Sequence, residues 1–100
     1  MATYWLTFRI HDNAGSEARR DALYDTISKL TPEWWIEPTS FIVFESDSGI
    51  DTIAARAKSA IDPRVDLVLI GMPDFKSALL VGKSGYFETL LQLVPFVKRV

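Results

Sequence analysis

The chain opens with a regular alternation of apolar and polar residues. From Tyr4 to Ile10 every second residue is apolar, and Arg9 ends the opposite face. A period of two with these residue types predicts a β-strand over residues 3–10. The turn-rich letters HDNAG follow. Apolar residues then recur at a helical period up to Pro32, which predicts a first helix with Ser16 as its N-cap.

Three further segments have the composition of strands. Pro38 separates a short extended piece at 33–37 from a strand at 40–45. The run VDLVLIGM, residues 65–72, predicts the next strand, which Pro73 closes. The run SALLVG, residues 77–82, predicts either a short strand or an extended arm.

Two more helices are expected from their start and stop signals. Ser48 and Asp51 have the spacing of a capping box and begin a second helix, which ends at Asp62-Pro63. Ser84 is the expected cap of a third helix near the end of the chain.

The resulting order is β–α–β(β)–α–β followed by a C-terminal tail. Two helices can cover only one face of such a sheet, which is typical of an α+β, ferredoxin-like split βαβ sandwich with an antiparallel sheet. We expect residues 1–75 to form this core domain and residues 76–100 to form a C-terminal strand or arm with a helix.

Several strands are apolar on both faces, as strands buried on both sides are. The residues assigned to the face without helices are Ile42, Phe44, Val68 and Ile70. Because burying each such side chain contributes about 1.5–3 kcal/mol, the uncovered face is expected to associate with a partner. A second copy related by a two-fold axis is the simplest partner, so we predict a homodimer. The alternative is that the C-terminal helix folds back over this face.

Composition narrows the classes of function. The 100 residues are 48% hydrophobic and 24% charged, with a formal net charge of −2, which indicates one globular domain and not a strongly basic nucleic-acid binder. The absence of cysteine excludes disulfides, zinc-thiolate sites and cysteine nucleophiles. It also fits a cytoplasmic protein. The chain has no run long and apolar enough for a membrane span and does not begin like a signal peptide.

The end of the first strand carries the main candidates for chemistry. Arg9, His11 and Asp12 fall within four positions. Asp12 as a metal ligand with His11 as a proton-transfer group would suit a Mg²⁺-dependent nuclease. Alternatively, Asp12 stabilises the turn, His11 is a solvated loop residue, and Arg9 pairs with a carboxylate at an interface.

Other residues are candidates for binding. Trp5 shares its strand face with Arg9, and Arg19 and Arg20 lie on the first helix, where they could follow a nucleic-acid backbone or form a solvated, salt-bridged face. The letters GKSG, residues 82–85, resemble the end of a phosphate-binding loop but lack the glycine that such a loop needs five residues earlier.

The opening strand TYWLTFRI, the stretch SFIVFES and the run IDPRVDLVLIGM together resemble a known group. This group contains the small CRISPR spacer-acquisition subunit and VapD-type toxin ribonucleases. The resemblance covers residues 3–72 at the level of fold pattern. It implies a ferredoxin-like homodimer whose sheets meet at the two-fold axis, with a C-terminal strand, here SALLVG, that crosses to the partner.

The resemblance also implies where a catalytic residue would stand. The group has a metal-binding Asp in the triplet that corresponds to Phe8-Arg9-Ile10, where this chain has Arg9. A guanidinium cannot bind Mg²⁺. The prediction is therefore a non-catalytic homodimeric module without a cofactor, related to CRISPR-associated and toxin–antitoxin proteins, that binds nucleic acid or a protein partner. The alternative is a Mg²⁺-dependent endonuclease.

Overall fold

Six strands form one mixed sheet, and three helices pack against it, so the predicted α+β class is confirmed. A computed structural model describes residues 1–100. In chain order, the elements are β1 (Ala2–Arg9), α1 (Ser16–Ser28), β2 (Trp34–Trp35), β3 (Phe41–Ser46), α2 (Ile50–Ala60), β4 (Leu67–Met72), β5 (Phe75–Gly82), α3 (Phe87–Leu93) and β6 (Val97–Arg99).

The strands lie in the order β2-β3-β1-β4-β5-β6. Neighbouring strands are antiparallel except β5 and β6, which are parallel. No helix is long and apolar enough to cross a membrane.

The main core lies between the sheet and the first two helices. Leu23 and Ile27 of α1, with Ile53 of α2, are fully buried against the even-numbered side chains of β1. The helical period places the apolar residues of α1 and of α2 on one side of each helix, and the strand period does the same for β1. These apolar sides face one another.

The predicted dimer-interface residues belong to this core, which corrects their assignment to the uncovered face. Register pairs Leu6 with both Ile42 and Ile70, and residues paired directly across antiparallel strands share a face. The four residues Ile42, Phe44, Val68 and Ile70 are therefore beneath α1 and α2, with at most 2% of each exposed. The alternation was read correctly, but both of these strands are apolar on both sides, so the pattern did not indicate which side lies beneath the helices.

The C-terminal region packs onto the same sheet. SALLVG belongs to β5, which pairs with β4 on one edge and with β6 on the other. The crossing of this strand to a partner stays a prediction. Helix α3 folds back over the sheet face opposite α1 and α2. Phe87, Leu90 and Val94 pack there against a second cluster; its buried members are Ala78, Leu80 and Val97.

Helix α3 covers only the part of its face formed by β4, β5 and β6. The remainder of that face has Thr3 and Glu45 at one end and Arg9 at the other. Five residues lie between them: Trp35 on β2, Phe41 and Val43 on β3, and Trp5 and Thr7 on β1. Trp35 and Phe41 make an edge-to-face contact with ring centroids 6.4 Å apart. Trp35 is 48% exposed and the other four are half-buried. We call these five residues the aromatic strip.

Three predicted helix caps are displaced. The N-caps are Gly15 for α1 and Gly49 for α2, and neither helix has a side-chain cap. Ser48 instead accepts a hydrogen bond at its carbonyl oxygen from the Tyr4 hydroxyl, at 2.8 Å. The predicted cap Ser84 of α3 is likewise replaced by Tyr86.

The aromatic strip is anchored where Trp5 lies across β4. Trp5 is paired with Gly71, and its indole occupies the space in which a Cβ on residue 71 would stand. A glycine is needed here because any side chain would overlap the ring, and the buried glycine backbone, which carries no side chain, gives the indole a flat surface on which to pack.

We predict that Gly71→Ala destabilises the fold by about 1–3 kcal/mol, the usual range for overpacking. Trp5→Ala in the same chain should remove most of that added cost, since the obstructing ring is gone. Urea unfolding of the two single variants and the double variant measures the coupling. Additive changes would mean that the indole does not rest on residue 71.

Candidate functional site

Asp66 is a fully buried carboxylate at the end of the sheet where the central strand β1 ends and its neighbour β4 begins. Its Oδ2 accepts hydrogen bonds from Nε of Arg19 and from the backbone N–H of Asp62, both at 2.8 Å. Its Oδ1 accepts from the N–H of His11 at 2.8 Å and from Nη2 of Arg19 at 3.3 Å. The carboxylate therefore has four donors, and no buried polar side-chain atom of the chain is left without a partner.

The environment determines the ionisation of this carboxyl group. Burial alone would raise the pKa of Asp66, but the hydrogen bonds from Arg19 and from the N–H groups of Asp62 and His11 together outweigh burial. The net effect is a pKa below the ordinary value of an aspartate, so the group is charged in the folded protein at neutral pH.

The same residue joins three loops. The side chain of Asp66 holds the loops that follow β1 and α2, and its carbonyl oxygen accepts from the N–H of Lys83 at 2.8 Å, in the loop that follows β5. Gly82 permits this approach. It has φ of +94°, and a Cβ at that position would collide with the Asp66 carbonyl oxygen.

These loops surround an open cleft of about 390 Å³. Arg9, His11 and Lys83 line it together with Val65 and Gly85, and no carboxylate is among the lining residues. Nη2 of Arg9 donates to the carbonyl oxygen of Lys83 at 3.3 Å, which places the Arg9 side chain beside the Lys83 backbone. We call this feature the cationic cleft.

The other sequence candidates lie elsewhere. Asp12 is exposed in the turn after β1 and does not line the cleft. Trp5 belongs to the aromatic strip. Arg19, predicted as a binding residue, is engaged in the Asp66 ion pair and also donates through Nη2 to the His11 carbonyl oxygen at 3.1 Å and to Oδ1 of Asn13 at 2.9 Å. Arg20 is exposed on α1, outside the cleft.

The side chains do not form a metal-ligand set. No three His, Asp or Glu side chains lie close enough together to hold an ion. His11 lines the cleft with Arg9, whereas Asp12 lies outside it. We derive no metal-dependent step for this site.

Sequence reasoning missed the two residues that most define the cleft. Asp66 is the only charged letter in VDLVLIGM, and an acidic residue inside an apolar run was a signal of a buried, paired carboxylate. Lys83 belongs to GKSG, whose letters give no sign of Arg9. The two residues are close because β5 pairs with β4, which pairs with β1.

The chain matches no family model, and no curated protein or solved structure is significantly similar to it. The resemblance to the CRISPR spacer-acquisition and VapD group accordingly stays a prediction.

We predict that Asp66→Asn costs about 3–5 kcal/mol at neutral pH, because it removes the buried carboxylate that pairs with the partly buried Arg19 guanidinium. Arg19→Lys should cost less, since the charge remains but the paired Nε and Nη2 bonds are lost. Arg64→Gln removes an exposed ion pair with Asp62 and should not change the stability measurably. Urea unfolding followed by tryptophan fluorescence gives the three values.

The pH dependence follows from the lowered pKa. An unfolded aspartate has a pKa of about 3.9. The contribution of Asp66 to stability is therefore complete above that pH, and it is lost as the pH falls through the lower pKa of the folded state. Wild type should therefore lose more stability between neutral pH and the acid range than Asp66→Asn does. Parallel pH profiles, or a neutral-pH cost as small as that of Arg64→Gln, would contradict the role given to this carboxylate.

Proposed function

We propose that this protein is a non-catalytic binding module that acts as a homodimer, with the face that carries α3 forming the contact between the copies. The observation that supports this most directly is the aromatic strip, in which four apolar side chains beside Thr7 stay partly open to water on the half of the face that α3 does not cover. Contiguous exposed apolar surface of this kind is typical of protein–protein interfaces.

The order of the first four strands supports the ferredoxin-like part of the proposal. Strands β2, β3, β1 and β4 are adjacent in that order and antiparallel throughout, with α1 and α2 on one face. This is the arrangement expected for a split βαβ plan. We propose a ferredoxin-like core to which β5, α3 and β6 have been added.

A second copy suits this surface because the surface is self-complementary. Helix α3 stands as a ridge beside the strip and exposes Leu91 and Leu93, with Phe96 just beyond its end. A two-fold axis parallel to the strands, between two facing sheets, would place each copy's α3 over the other copy's strip. Both apolar features would then be covered at once by one isologous contact.

The process in which the module works is proposed from the resemblance. The opening strand and the two later stretches support a place among relatives of the CRISPR spacer-acquisition subunit or VapD-type proteins, and so in a defence or toxin–antitoxin system. Because Arg9 replaces the carboxylate of that group, we propose binding and assembly as the role. A Mg²⁺-dependent endonuclease remains an alternative prediction that no donor set in the chain favours.

We predict that Trp35→Asp and Leu93→Asp each convert a wild-type dimer into a folded monomer, because both residues are exposed in the protomer and buried in the proposed contact. Sedimentation velocity over a range of concentrations measures the change. Ala55→Asp, on the exposed side of α2, is the matched control and should leave the dimer intact. Circular dichroism checks that each variant is folded.

The geometry of the contact has its own test. A mixed dimer of the two monomeric variants has two Trp35–Leu93 contacts. One carries both substitutions and the other has both native side chains, so mixing should restore part of the association. A wild-type protein that stays monomeric up to its solubility limit, or a dimer untouched by both substitutions, would overturn the proposal.

A further inference from the structure

The cationic cleft continues into a second hollow at the start of α3. Gly85 lines both features, and the second is also lined by Tyr86 and Arg99. Arg99 is held in place over the ring of Phe87, with its guanidinium carbon 4.7 Å from the ring centroid. Cationic side chains therefore follow one another from Arg9 through Lys83 to Arg99, at one end of the sheet.

We propose that this row of cationic side chains binds a nucleotide unit, with its phosphate group in the cationic cleft and its base against Tyr86. The cleft supplies the anion-binding chemistry. Arg9 uses one of its five N–H donors on the Lys83 carbonyl oxygen, and neither Arg9 nor Lys83 forms an ion pair within the chain. A guanidinium and an ammonium group that line one cleft, without a carboxylate in the lining, suit the binding of phosphate oxygens.

Tyr86 distinguishes a nucleotide from a simple anion. It is 83% exposed, the most exposed large aromatic residue of the chain, and it follows Gly85 directly. An exposed aromatic ring next to a phosphate site is an arrangement in which a base can stack, and stacking of this kind tolerates any base. One acidic residue, Glu88, lines the second hollow and opposes the charge of Arg99 there, so the phosphate belongs in the cleft that Arg9 and Lys83 line.

The loops that carry the cationic cleft are fixed before any ligand arrives. The backbone N–H groups of His11 and Lys83 both donate to Asp66, to its side chain and its carbonyl oxygen respectively. Because these loops are already ordered, binding does not have to include the cost of ordering them. The inference rests on these contacts and does not require the homodimer.

The test measures binding of a fluorescein-labelled oligothymidylate by anisotropy at low salt, with wild-type protein. Arg9→Gln combined with Lys83→Gln should weaken binding at least about tenfold, equivalent to about 1.4 kcal/mol. Tyr86→Ala should weaken it about fivefold or more, and Tyr86→Phe should preserve it. Lys76→Gln is the matched control, because Lys76 is an exposed cation near the opposite end of β5.

Competition identifies the source of the phosphate. Adenosine monophosphate that displaces the labelled strand assigns the site to a free nucleotide as well, whereas displacement only by unlabelled oligothymidylate assigns it to a polymer; both results support the site. Adenosine, which lacks the phosphate, should not compete. The proposal is overturned if wild type does not bind the strand, if Lys76→Gln weakens binding as much as the cleft variant, or if adenosine competes as well as its monophosphate. Sedimentation of the same samples separates failure of this site from failure of the dimer.

Discussion

A single buried carboxylate, that of Asp66, holds together the end of the molecule on which the candidate chemistry lies. Removing an aspartate from water is costly, and the four donors around it offset that cost. These donors belong to three different segments. The β1–α1 loop, the α2–β4 loop and α1 itself are therefore fixed relative to one another. Since apolar packing can often match the stability of a buried ion pair, we interpret this network chiefly as the source of defined loop positions.

Those positions bring together residues that are distant along the chain. Arg9 and Lys83 are neighbours because β5 pairs beside β4, β4 beside β1, and the Lys83 N–H binds the Asp66 carbonyl oxygen. The sheet's other features divide its remaining surface: α1 and α2 cover one face, α3 covers half of the other, and the aromatic strip is left over. Charge is thus concentrated at one end of the sheet, and apolar surface on one face, which is the basis for proposing a binding and assembly role.

The sequence predicted the elements that depend on local pattern. The alternation in β1 and the helical periods of α1 and α2 each correspond to a real element, because period and burial agree there. It failed where the pattern is symmetric or the contact is distant. Strands β3 and β4 are apolar on both sides, so the pattern did not identify which face Ile42 and Ile70 occupy. Strand β6 has three residues and exists through pairing with β5, which no local signal encodes.

Amide hydrogen exchange tests most directly the claim that Asp66 fixes the loops around the cleft. Loop amides usually exchange through small local openings, whereas amides bound to the buried Asp66 should exchange only through large ones. The N–H groups of His11 and Asp62 bind its carboxylate, and the N–H of Lys83 binds its carbonyl oxygen. The account predicts that the N–H groups of His11, Asp62 and Lys83 have protection close to that of the central strand β1. Protection no greater than that of Asp12 and Gly85, in the same loops, would contradict it.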